Sequence, residues 1–215
     1  MIYMQLLGSM STIALSAYIF NQHYISKKLF CLDKGFNKLS LIIFFSLLSI
    51  LGTYTGVSID SMAPASFNKS SLIDLKPYAI ANTRPIGAIT AGYLGGPLVG
   101  ICVGLIAGFQ RYYLGGFTAL ACAISTIVEG LCGALGQKYS KSKAINPKLA
   151  FITAIIAEIL EMIIILVLSK PFNQALQLEK IFALPMIIMN SVGVLIFVYI
   201  TKDALEQYNR IGATE

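Results

Sequence analysis

The fold turns on one stretch, PYAIANTRPIGAITAGYLGGPLVGICVGLIAGFQRYY, residues 77–113. As a single helix it would be about 55 Å long at 1.5 Å per residue, far more than the ~30 Å hydrocarbon core of a bilayer. Gly95-Gly96-Pro97 stands at its centre. Glycine ends helices and proline suits the first turn of the next one, so the stretch is expected to double back as a tight hairpin of two helices, 77–94 and 97–113.

On either side, apolar runs at 3–20, 41–57, 117–136, 149–168 and 181–200 are each long enough to span a membrane. With the hairpin they make about seven crossings. Hydrophobic residues form 56% of the 215 positions and charged residues 12%, and the mean hydropathy is +0.75. The fold class is therefore all-α, a polytopic transmembrane helical bundle in one domain, with membrane lipid as its solvent. The first run has no basic residue ahead of it and Lys27 and Lys28 behind it, the reverse of a cleavable signal peptide, so its N-terminus is expected outside. Seven spans then place both lysine-rich loops, 21–40 and 137–148, in the cytoplasm together with Lys202 and Arg210 of the C-terminus, as the positive-inside rule asks. Six spans would leave one lysine-rich loop outside. The net charge of +6 thus reads as orientation and not as a nucleic-acid surface. Residues 58–76 become an extracellular loop with room for a short interfacial helix. No internal repeat of fixed period is visible.

Cys102, Cys122 and Cys132 lie in apolar runs and Cys31 in a lysine-bearing loop, so neither a disulfide framework nor a metal site is expected. No cofactor is implied. The only histidine, His23, has no catalytic company, and no nucleotide loop or nucleophile elbow is present, so no enzyme activity is expected of these residues.

Ionisable groups inside a membrane cost roughly 2.5–3.5 kcal/mol each on insertion scales and need a partner or a purpose. Here they are Arg84, Arg111, Glu129, Glu158 and Glu161. The hairpin puts Arg84 about 10 Å below the outer end of its helix and Arg111 near the outer end of the next, whereas a straight helix would hold them ~40 Å apart. In the run from 117, Thr118, Cys122, Ser125 and Glu129 are spaced four, three and four residues apart and share one face, with Cys122 and Ser125 level with Arg84. Two guanidinium forks, a hydroxyl and a thiol among apolar walls suit a small anion with a carboxylate and a further polar oxygen. The spacing equally allows Arg84 to pair with Glu129 and Arg111 to snorkel to the interface. Gly100, Gly104 and Gly108 repeat every four residues and read as a groove for a close helix contact. Glu158 and Glu161 share a face of the 149–168 run, which allows a proton or cation pathway but is expected to serve hydrogen bonds to Asn190 and Ser191, and Pro185 is expected to kink the last span or sit in its first turn. Thr201, Leu205, Tyr208 and Gly212 at heptad-like spacing read as the start of a signalling helix, 202–215, after a receptor domain of 1–201.

Residues 81–139 closely resemble the membrane receptor domain of LytS/YhcK-type bacterial sensor histidine kinases. The resemblance rests on N-x-R at 82–84, G-G-P-L-V-G at 95–100, R-Y-x-L-G-G-F-T-A-L-A-C at 111–122 and S-T-I-x-E-G at 125–130. It extends, more weakly, through LGTYTG (51–56), AEILEM (157–162) and the stretches 170–176 and 183–194. Several members of that family are understood to sense extracellular pyruvate through two arginines, a cysteine and a serine, and the matching positions are Arg84, Arg111, Cys122 and Ser125. Asn82, Thr118 and Glu129 stand behind them as supporting residues. The resemblance further implies a plasma-membrane homodimer, a cytoplasmic kinase region beyond Glu215 and a response regulator. A carboxylate transporter or the substrate-binding membrane subunit of an uptake system is the alternative, with Glu158 and Glu161 as coupling acids; a structural partner of a murein-regulating complex is a third.

Overall fold

The computed structural model describes residues 15–19, 35–60, 67–69, 78–140 and 145–212. Five long helices carry the fold: α1 Gly35–Tyr54, α2 Arg84–Tyr113, α3 Ala119–Lys138, α4 Pro147–Leu168 and α5 Phe172–Gly212. Between α1 and α2 lie three short strands, β1 Val57–Asp60, β2 Phe67–Lys69 and β3 Tyr78–Ala81. They form an antiparallel sheet in the order β2-β1-β3, with Val57 opposite Ala81 and Asp60 opposite Tyr78. Apart from residues 15–19, which are helical, the expected span 3–20 lies outside the described residues, as do His23 and Cys31.

The hairpin is present. Gly96 sits at φ 81°, ψ −174°, a conformation reserved for glycine. There the chain reverses, so that a Cβ on Gly100 would come within 2.8 Å of the Gly92 Cα, a pair that ~12 Å would separate along one helix. The two arms, α2a (84–95) and α2b (97–113), both lie against α3. Cβ atoms on Gly92 and Gly100 would each strike the Gly130 carbonyl, Gly104 faces Thr126 and Ile127, and Gly108 faces Ala123. The glycine repeat is therefore a packing groove, as its spacing suggests, and α3 is its occupant.

Two expectations for the segment before the hairpin are corrected. Where an extracellular loop with a possible interfacial helix was read, the described parts of 57–81 are strands. The first arm does not start at 77 but at Arg84, because β3 holds 78–81 extended and Pro85 supplies a helix-starting residue right behind it. Arg84 is thus the first residue of its helix, not a residue two turns in. The last helix is also longer than the run 181–200: it continues from Phe172 to Gly212 with Pro185 inside it.

Among the described residues, Ala119–Lys138, Pro147–Leu168 and Phe172–Gln207 are each long and apolar enough to cross a membrane, the equally apolar Arg84–Tyr113 is folded back on itself at Gly96, and Lys38–Tyr54 is a shorter apolar helix. Large apolar side chains point outward in stripes, Leu39, Ile43, Leu47 and Leu51 on α1 and Ile152, Ile156, Ile159 and Ile163 on α4, while the buried faces carry alanine, serine, threonine and glutamate. That inversion of a soluble fold is what lipid selects. Phe45 closes the core between α1 and α5, 5.5 Å from the Phe197 ring. Lys38, Lys138 and Lys148 lie toward the Gly96 end, which the positive-inside rule assigns to the cytoplasm; the sheet marks the outer end.

Candidate functional site

The site forms where β3 hands over to α2. Asn82 Oδ1 accepts a hydrogen bond from the Arg84 backbone N–H (3.1 Å), and Asn190 Nδ2 of α5 donates to the Asn82 carbonyl (3.3 Å). On the other side, Ser49 Oγ of α1 donates to the Arg84 carbonyl (3.2 Å), across a contact so close that a Cβ on Gly52 would lie 2.8 Å from Arg84 N. Two helices, α1 and α5, and the end of β3 thereby fix the Arg84 backbone.

There the guanidinium meets a partner that the spacing argument did not select. Arg84 Nη2 donates to Glu161 Oε1 of α4 at 2.9 Å, with both side chains 1% exposed. Glu129, the partner that spacing suggested, makes no ion pair with it among the described residues. Ser125 Oγ lies 3.2 Å from the same Glu161 oxygen and 3.0 Å from the Cys122 carbonyl, and its single proton serves one of them at a time. Glu161 was detectable by the reasoning used for Ser125: seven residues below the end of α4 is ~10 Å, the same depth. Glu158 and Glu161 were expected to bond Asn190 and Ser191; Glu161 instead binds Arg84, and Glu158 faces Asn190.

Arg111 closes the outer side. It stands in the last turn of α2b, fully buried, so it does not snorkel. Nη1 donates to the Gly115 carbonyl at 2.6 Å and Nη2 to Thr118 Oγ1 at 3.0 Å. Gly115 and Gly116, at φ 75° and 95°, make the turn that presents this carbonyl. Both oxygens are neutral, and among the described residues Arg111 has no ion pair. Cys122, one turn after Thr118 on α3, is buried, and its carbonyl lies 3.0 Å from Ser125 Oγ.

Arg84, Arg111, Cys122 and Ser125 are thus brought together, with Asn82 and Thr118 holding the arginines and Glu129 buried one turn below Ser125. Two guanidinium groups stand against one ion-paired carboxylate. Among the described residues, Arg84 Nε and Nη1 and Arg111 Nε are buried donors without a hydrogen-bond partner. Such a group of donors accommodates an anion's oxygens. Among the described residues no group of three His, Cys, Asp or Glu side chains is placed to hold a metal ion.

Residues 17–204 match the family model 5TM-5TMR_LYT, described as the 5TMR of 5TMR-LYT. The sensor histidine kinase BtsS of Escherichia coli K12 is 38% identical over 179 residues, 81% of this chain and 29% of that protein. The sensor protein LytS of Bacillus subtilis is 38% identical over 180 residues, 83% of this chain and 30% of the relative. LytS of Staphylococcus epidermidis is 33% identical over 217 residues, spanning the whole chain and 36% of the relative. No solved structure matches significantly. The chain spans about three-tenths of the length of these relatives, and the region it corresponds to is their multi-pass receptor in the plasma membrane, not their kinase. With most of its length matched and its helices packed for lipid, the chain belongs to the 5TMR-LYT family of membrane sensor regions found in LytS- and BtsS-type histidine kinases.

Proposed function

We propose that this membrane sensor region binds a small extracellular carboxylate, pyruvate foremost, between Arg84 and Arg111. One observation carries the reading: Arg111 is wholly buried with both terminal nitrogens spent on neutral oxygens, next to a second buried arginine that uses only one of its donors. A buried cation without a counter-ion is costly, and a bound carboxylate supplies the missing charge and accepts two donors at once. Ser125 and Cys122 then flank the ligand's second oxygen, in agreement with the resemblance to receptors that use two arginines, a cysteine and a serine.

Residues 1–201 form the receptor domain, and 202–215 begin the helix that carries the signal to a cytoplasmic kinase and its response regulator, within a homodimer. The unbroken run of α5 to Gly212 supports that division. A ligand shifts the bundle only by its differential affinity for two arrangements of the helices. Titrating pyruvate into the purified chain and its Arg111→Ala variant tests the reading. Loss of charge-assisted hydrogen bonds is expected to weaken binding by about 10–100-fold. Equal affinity for both proteins removes the site, and accumulation of labelled pyruvate by proteoliposomes would make the chain an uptake protein instead.

A further inference from the structure

Glu161 sits on Arg84 and Ser125, two of the four residues to which the ligand reading assigns pyruvate. Its Oε1 takes the Arg84 Nη2 proton at 2.9 Å and lies 3.2 Å from Ser125 Oγ. The engagement is one-sided: among the described residues Glu161 Oε2 has no hydrogen-bond partner, and Arg84 Nε and Nη1 have none either. A structural arginine–carboxylate pair with both side chains buried gains most from a bidentate fork, in which two nitrogens meet two oxygens. This pair makes one such contact. The carboxylate is also tethered to α4, whereas the arginine and serine stand on α2a and α3.

We propose that Glu161 is an internal stand-in for the ligand's carboxylate, holding Arg84 and Ser125 until ligand displaces it. The inference rests on the ligand reading above. The exchange balances the charges: before it two guanidinium groups face the Glu161 carboxylate alone, and after it they face that carboxylate and the ligand's. The exchange also gives the signal a route. Met162, next to Glu161, packs on Phe182 and Met186 of α5, so releasing α4 from α2 and α3 changes the footing of the helix that runs on to Gly212.

Calorimetric titration of pyruvate into the 215-residue chain in lipid nanodiscs reads the affinity. Glu161→Gln removes the competing charge at nearly constant shape, so it should bind pyruvate about tenfold more tightly. Glu161→Asp, which keeps the charge on a shorter arm, should also bind more tightly. A circular-dichroism melt of each variant shows that it is folded, and the Asp variant decides the matter if the Gln variant is not. If the folded variants bind no more tightly than wild type, Glu161 is an ordinary structural partner and the stand-in is refuted while the ligand reading survives. If wild type binds no pyruvate at all, the ligand reading fails and takes this inference with it.

Discussion

Gly96→Ala isolates the turn on which the fold depends. At φ 81° and ψ −174° the residue occupies a region that side chains with a Cβ rarely enter. Among the described residues, no atom beyond the local chain lies within 4 Å of where that Cβ would be, so the penalty comes from the backbone conformation and not from crowding. A forced conformation of this kind costs about 1–3 kcal/mol. For a chain of this size each kcal/mol moves the midpoint by about 2–4 °C, so thermal unfolding followed by far-UV circular dichroism in detergent should fall by about 2–12 °C. Because the space is open, Ser should cost about as much as Ala; a steric origin would make the larger side chain worse. Gly96→Ala melting within about 1 °C of wild type would mean that the residue is not at positive φ and that the reversal is built some other way.

Three further perturbations probe the packing and the site. Gly130→Ala drives a Cβ into the Gly100 carbonyl, whose carbon would be 2.7 Å away, and because backbone cannot rotate aside, the loss should reach about 1–3 kcal/mol in denaturant unfolding. Arg84→Met strands Glu161 in the interior and should cost about 3–5 kcal/mol, and adding Glu161→Met should restore most of it; additive losses would show that the two side chains are not coupled. Thr118→Val removes the acceptor for Arg111 Nη2 and should destabilise by about 1–3 kcal/mol, and a neutral result would place Arg111 in water.

The hairpin was legible because its signals are local: Gly95-Gly96-Pro97 both ends one helix and starts the next, and the lysine loops fix the parity. Depth reckoned at 1.5 Å per residue then brought Arg84 level with Ser125, and both meet at Glu161. The reckoning was right for a partly wrong reason, since Arg84 begins its helix and β3, not two helical turns, precedes it. Strands of three or four residues such as FNK and YAIA leave too short a pattern to read, and their pairing is set by partners distant in sequence. The choice between Glu129 and Glu161 as the partner of Arg84 was not legible in the spacing of α3 alone, because it depends on how α4 lies across the arms. The start of α5 at Phe172 was hidden by Pro185, which reads as a boundary yet lies inside the helix.

The central claim is that both arginines touch one small carboxylate. Magic-angle-spinning NMR on the lipid-embedded chain with 15N-labelled arginine side chains and pyruvate carrying 13C at its carboxyl group measures this directly. The ligand carbon should show dipolar contacts to two guanidinium groups, one vanishing in Arg84→Lys and the other in Arg111→Lys. A ligand carbon coupled to neither, or to a guanidinium that survives both substitutions, would contradict the account.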